Sequence, residues 1–290
     1  MVRLKFFIQL KYEIDQLGCD FIFSIHAAQT RHQLLVSESL GISQGLPYNL
    51  HTDPVTHTRF MRLHASAGPL MVSYEATVDI NHYSAPPEQI NEIPVADLPG
   101  MVLPYIYPSR YCQSDRLHRL AVKEFGHLWQ GYSRVQAIRD WVLNRVTFRS
   151  NSSTGNTTAV DTLVEEVGVC RDFAHLMIAL CRAVNIPARF ATGIDYGADP
   201  ALGPTDFHAY VEVYLGGRWY IFDPSGVAIP MGFVRIGTGR DAADSAFATM
   251  FGGVNGVAPV IQIEAIPNHQ GMLMVPQHVP YAISTDGQFE

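Results

Sequence analysis

The sequence predicts an α+β protein in which an antiparallel, β-rich N-terminal region precedes a mixed domain of helices and sheet. Three observations carry this. Alternating apolar runs fill residues 2 to 80, a Pro-rich stretch from Pro86 to Pro108 ends them, and helical periodicity then gives way to a hairpin built on Gly216-Gly217. The organisation reads as a β-rich domain over residues 1–100, a mixed core over 101–266 and a loosely ordered tail over 267–290.

In the first region strands are expected over Leu4–Ile14, Phe21–Ile25, His32–Leu40, Arg59–Leu63 and Met71–Ile80, rich in aromatic and β-branched residues. Ala67-Gly68-Pro69, between the last two, reads as the turn of a hairpin that pairs them. Pro86, Pro87, Pro94, Pro99, Pro104 and Pro108 then forbid a helix and suit a connector. Ser114 or Asp115 opens a helix to Phe125, and Ser133 with Gln136 reads as the capping box of a second helix to about Val146. A Ser/Thr/Asn/Gly-rich loop from Ser150 to Thr158 precedes a short helix over Asp161–Glu166.

Composition excludes several classes of function. The 290 residues can bury a full core without disulfides or metals. A net charge of −7, with no run of Lys or Arg, leaves no footprint for nucleic acid. No apolar stretch approaches the roughly 20 residues a membrane span needs, and the N-terminus lacks the pattern of a leader, so a soluble cytoplasmic protein without a membrane partner is expected. Cys19, Cys112, Cys170 and Cys181 are too scattered for a disulfide framework and include no Cys-x-x-Cys pair. Cys170 and Cys181 fall on one helix about 16 Å apart, beyond any bridge.

The chemistry concentrates in two segments. Val167-Gly168-Val169 feeds a helical pattern that begins at Cys170 and is stopped by Asn185-Ile186-Pro187. A thiol in the first turn meets the unpaired N–H groups and positive end of a helix, which favour the thiolate and can donate to a developing oxyanion. The same cysteine also falls on one stripe with Ala174, Met177 and Cys181, as a plain core residue would.

Downstream, Phe207 to Leu215 alternates along a strand, Gly216-Gly217 turns, and Arg218 to Phe222 returns to Asp223. With Leu215 facing Arg218, Tyr210 faces Asp223, and His208 lies diagonally from that carboxylate, within about 7–8 Å along the ladder. A nucleophilic cysteine needs a base, and the base needs a group to hold its tautomer. His208 and Asp223 supply that pair. His175, on the nucleophile helix, competes for the base but projects from a different face than Cys170. His26, His51, His57, His64, His118 and His127 lack metal-ligand spacing and read as structural or surface residues.

Gly168-Val169-Cys170-Arg171-Asp172-Phe173-Ala174, His208-Ala209-Tyr210-Val211-Glu212 and Trp219-Tyr220-Ile221-Phe222-Asp223-Pro224 resemble, in order, the three motifs of the bacterial transglutaminase-like superfamily. Gly239-Arg240-Asp241-Ala242-Ala243-Asp244 resembles a segment that follows them. The likeness covers residues 115 to 266 well and the first hundred weakly. It implies a papain-like α+β core, in which the helix bearing Cys packs on an antiparallel sheet bearing His and Asp. It also implies a catalytic triad of Cys170, His208 and Asp223, acyl transfer through a thioester on a peptide or protein, and no metal or organic cofactor. Tyr210 departs from the Trp that many members carry there. Trp141 is a candidate oxyanion donor, set against a packing role on its helix.

The expected activity is hydrolysis of an amide by a peptidase or amidase. The alternatives are a protein-glutamine transglutaminase using the same triad and a non-catalytic peptide-binding module. The loop from Asp195 to Asp206 reads as a rim or lid of the cleft, or as a plain connector.

Overall fold

The computed structural model describes residues 1–197 and 205–286. The expected rim or lid at 195–206 therefore falls largely outside the described residues. The N-terminal strands are β1 (Val2–Ile14), β2 (Cys19–Phe23), β3 (Gln33–Ile42), β4 (Asn49–Thr52), β5 (Arg59–Ala65) and β6 (Gly68–Ile80). They form two antiparallel sheets, with β1 between β6 and later strands, β3 beyond β6, and β2-β5-β4 opposite. Val2, Leu4, Phe6, Ile8 and Leu10 of β1 point inward with Leu70, Val72, Tyr74, Ala76 and Val78 of β6, facing Phe21, Phe23, Met61 and Leu63. Each Val, Leu, Ile, Phe or Met side chain among them contributes about 1.5–3 kcal/mol by leaving water.

The turn at Ala67-Gly68-Pro69 is not a hairpin. β5 pairs with β2 and β4, whereas β6 pairs with β1 and β3, so the chain crosses there from one sheet to the other. Gly68, at φ 107°, makes the sharp departure possible. Alternation alone cannot separate these outcomes, because two strands facing across a sandwich bury one apolar face each, just as two paired strands do. β4, exposed along its length, has no alternation to find.

After β7 (Tyr83–Ala85), the Pro-rich connector forms short 3₁₀ turns that lay Leu98, Val102 and Tyr105 over Trp219. Next come α1 (Ser114–Phe125), α2 (Tyr132–Arg145), β8 (Thr147–Phe148), α3 (Ala159–Glu165), β9 (Val167–Gly168) and α4 (Cys170–Ala183). The expected capping box at Ser133 does not form. Instead α2 starts from Gly131, whose N–H donates to Glu92 (2.9 Å), a residue also gripped by Arg134. Thr158 and Asp161 do form a reciprocal capping box at α3.

The sheet of the core runs β12 (Arg218–Phe222), β11 (Phe207–Leu215), β10 (Ala188–Asp195) and β13 (Phe233–Gly239), all antiparallel. One of its faces carries α4, which is buried from Asp172 to Ala183 among α1, α2, α3 and the sheet. The outer edge of β13 is closed by the N-terminal region. Gln33 exchanges two hydrogen bonds with the Arg235 backbone, both 2.8 Å, and Thr58 accepts from the Thr238 N–H. The exposed row of ladder donors at a sheet edge is thereby satisfied.

Two boundaries differ from those expected. β14 (Ala248–Phe251) pairs with β2, and β15 (Val254–Gly256) and β16 (Val260–Ala265) pair with β1, so residues 248–265 complete the N-terminal sandwich rather than the core. The tail is anchored as far as Asp286 rather than loose. β17 (Ala282–Ser284) pairs with β7, and Asp286 joins Arg189, Glu212 and Arg235 in a buried ion cluster. Removing one partner of such a cluster leaves charge stranded in low dielectric, so Asp286→Ala is expected to cost about 3 kcal/mol or more, read as a drop in thermal midpoint. An unchanged midpoint would show the anchor to be dispensable.

Buried histidines make the fold acid-sensitive. His26 lies against Tyr74, and burial, with the Arg59 charge, holds it down to about 4. His175 is held well below the imidazole range by burial and by Arg171 and Arg182. The unfolded chain takes up a proton on each near about 6.5 and the folded chain does not. Stability is therefore expected to fall as pH drops from about 6.5 toward 4. A thermal midpoint constant over that window would contradict it.

Candidate active site

The site is built where the start of α4 meets the first residues of β11. Asp172, three positions into the helix and fully buried, accepts from the Val169 N–H (2.9 Å) and from Ser153 Oγ (2.9 Å). A side chain at Gly168 would collide with it, its Cβ falling 2.7 Å from Asp172 Cβ. The glycine and aspartate of the motif thus form one unit that fixes the turn presenting Cys170. Arg171 ties the same turn to the preceding loop through Ser153 Oγ and the Thr154 carbonyl.

Cys170 is half-buried, with its sulfur 4.0 Å from the Phe207 carbonyl oxygen. Cys19, Cys112 and Cys181 are free thiols sealed in the cores, and burial pushes the Cys112 thiol up to about 12. Cys170 is the accessible thiol.

The hairpin register is as expected. Leu215 pairs with Arg218 and Val211 with Phe222, which brings Asp223 across from Tyr210. His208 is buried, with Nε2 3.5 Å from Asp223 Oδ1. Asp223 is held by three further donors: the Ser225 N–H (2.9 Å), Ser225 Oγ (2.6 Å) and the Ala228 N–H (3.1 Å). Burial alone would raise its carboxyl, but the hydrogen bonds from His208, Ser225 and Ala228 hold it below the usual range. Burial likewise works against charge on His208. It is outweighed by Asp195, by hydrogen bonds to Asp223 and Cys170 and by the sulfur's charge, and the ring is held well above the imidazole range.

Asp195 escapes the sequence reading. It ends β10, is 2% exposed, and places Oδ2 3.2 Å from His208 Nδ1. Burial, with a contribution from Asp223, raises its carboxyl to about 6 against the pull of His208 and Tyr210. Tyr210 stands at the same ring, edge-on at 4.8 Å between centroids, and packs on Phe233. The β10–β11 register, Gly193 opposite His208, is the signal that would have found Asp195.

The competing residues lie elsewhere. His175 is enclosed within α4's core, stacked on Tyr111 (4.9 Å) with Nε2 accepting from the Ala242 N–H. Asp241 accepts from the Tyr111 N–H, so the segment after the hairpin clamps this structural histidine. Trp141 packs edge-on against Phe125 beneath Arg145. Among the described residues no cluster of His, Cys, Asp and Glu has the arrangement of a metal site.

Residues 122–224 match the family model of the transglutaminase-like superfamily, and residues 2–101 match that of the bacterial transglutaminase N-terminal domain. A solved structure from Cytophaga hutchinsonii, described as a "putative cysteine protease", is 39% identical, superposes with a TM-score of 0.89, and is covered over 97% of its length by 98% of this chain. The chain belongs to the transglutaminase-like superfamily. Its α+β fold is that of the superfamily core, with the bacterial N-terminal domain docked on β13. An uncharacterised protein of Mycobacterium leprae is 31% identical over 117 residues, spanning 39% of this chain and 42% of that relative. One of Bacillus subtilis is 26% identical over 186 residues, 56% of this chain and 25% of its own length. The matched segments thus cover less than half of either relative.

Proposed function

We propose that this transglutaminase-like protein is a cysteine hydrolase that cleaves amide bonds of a peptide or protein through a thioester, with Cys170 as nucleophile, His208 as acid and base, and Asp223 as the group that orients the ring. One observation carries the reading: an accessible thiol at a helix N-terminus reaches the Phe207 carbonyl next to His208, a buried imidazole held in its charged form by the sulfur and by a firmly held carboxylate 3.5 Å from its Nε2. Membership of the superfamily and the Cytophaga neighbour's description support a cysteine enzyme.

In this reading the thiolate attacks the amide carbonyl carbon, and N–H groups of the first turn of α4 receive the developing oxyanion. The C–N bond breaks as His208 gives its proton to the departing amine. Water then enters, His208 takes its proton, and the thioester C–S bond breaks to release a carboxylic acid and restore the thiol. Asp223 stays ionised and holds the ring's tautomer.

An amine acceptor in place of water would make the protein a transglutaminase. Incubation with a glutamine-containing peptide and a labelled amine separates the two: carboxylate product in excess is expected, and amine incorporation in excess would replace hydrolysis by transfer. The four free thiols support a reducing, cytoplasmic setting, which recovery of the protein in the periplasmic or secreted fraction would overturn.

A further inference from the structure

We propose that Asp195 is a positioning residue of this site: a second carboxylate that clamps His208 from β10, opposite Asp223, and keeps the ring in its charged form and aimed while Cys170 reacts. The proposal rests on the nucleophile reading above and adds a fourth member to it.

The geometry is nearly symmetric about the ring. Gly193 is the β10 residue opposite His208, so Asp195, two residues further on, sits diagonally from the imidazole, while Asp223 takes the corresponding diagonal after β12. Nδ1 faces Asp195 at 3.2 Å and Nε2 faces Asp223 at 3.5 Å. A neutral imidazole donates through one nitrogen only, whereas the imidazolium donates through both. Two ionised carboxylates at the two nitrogens are satisfied together only by the charged ring.

A structural explanation for Asp195 is hard to sustain. Elsewhere around this sheet, buried acids are neutralised by guanidinium groups: Glu212 of β11 and Asp286 of the tail meet Arg189 and Arg235. Among the described residues the only cation in ion-pair range of Asp195 is His208, and its oxygens accept no well-aligned hydrogen bond. A buried carboxylate without a guanidinium partner is costly to desolvate. What the acid supplies here is charge at the imidazole. The groups facing the ring are Asp195 on β10, Cys170 on α4, Asp223 after β12, Tyr210 on β11 and Asp206 just before it. Burial raises the carboxyl of Asp195 itself to about 6.

If Asp195 holds the proton on His208, removing its charge lets that proton leave at lower pH. The reporter is alkylation of the native protein by iodoacetamide across pH 4 to 10, which reads Cys170 because the other three thiols are buried. The wild-type rate is expected to rise to a plateau and then pass a second, alkaline inflection as His208 loses its proton. In Asp195→Asn that second inflection is expected about one pH unit lower or more, with the thermal midpoint retained. Asp195→Leu removes the acid altogether, is expected to give the same displacement, and decides the matter if the Asn variant does not fold. A wild-type plateau on which the variants superimpose would overturn the role of Asp195 and leave the nucleophile reading intact. A single wild-type inflection near about 8.5, the value of an ordinary cysteine, would overturn both.

Discussion

Cys170→Ala is expected to abolish the burst of p-nitrophenolate released from p-nitrophenyl acetate, a loss of about 10⁴-fold or more in acyl-enzyme formation, while moving the thermal midpoint by no more than about 4 °C. The two halves of this expectation come from different parts of the structure. Loss of the sulfur removes the atom that forms the covalent bond, and no other thiol can substitute, since Cys19, Cys112 and Cys181 are sealed in cores. The small stability effect follows from its place: Cys170 is half-buried, and the turn that carries it is fixed by Asp172 and Gly168 rather than by the thiol. A burst that survives in the variant would remove Cys170 from the chemistry. A collapse of the midpoint would instead mark it as a packing residue.

Asp223→Asn is expected to lower the same rate by about 10³- to 10⁴-fold at neutral pH. Its carboxylate accepts from three donors besides His208, so an amide NH₂ there must either face one of those N–H or O–H groups or turn toward the ring and reverse its hydrogen bond. The first outcome leaves buried donors opposed, at a cost of about 1–3 kcal/mol in stability. The second puts a donor where the ring needs an acceptor and selects the wrong tautomer. Both outcomes reduce activity, and the midpoint tells which one operates. Full activity in Asp223→Asn would exclude Asp223 as the orienting group.

The pairing of His208 with Asp223 was legible in the sequence because a two-residue Gly-Gly turn leaves a single register for its strands, and register dictates which side chains meet. Cys170 was legible for a related reason: Gly168 before it and Asn185-Ile186-Pro187 after it bound the helix, so its place in the first turn follows from local chemistry. The turn at Gly68 was misread, since its flanking runs have the same period whether they pair or face each other.

The sequence by itself determined the α+β class, the helix that opens at Cys170 and the hairpin that sets His208 beside Asp223, each a product of interactions between residues near one another in the chain. Only the tertiary structure decided that Asp195 faces the other side of the imidazole, that residues 248–265 return to the first sandwich, and that Asp286 is drawn into a buried ion cluster. Those contacts depend on strand order and on the burial of charge between elements far apart in sequence. Their energies arise only once the sheets have closed and water has been excluded, so no local pattern records them.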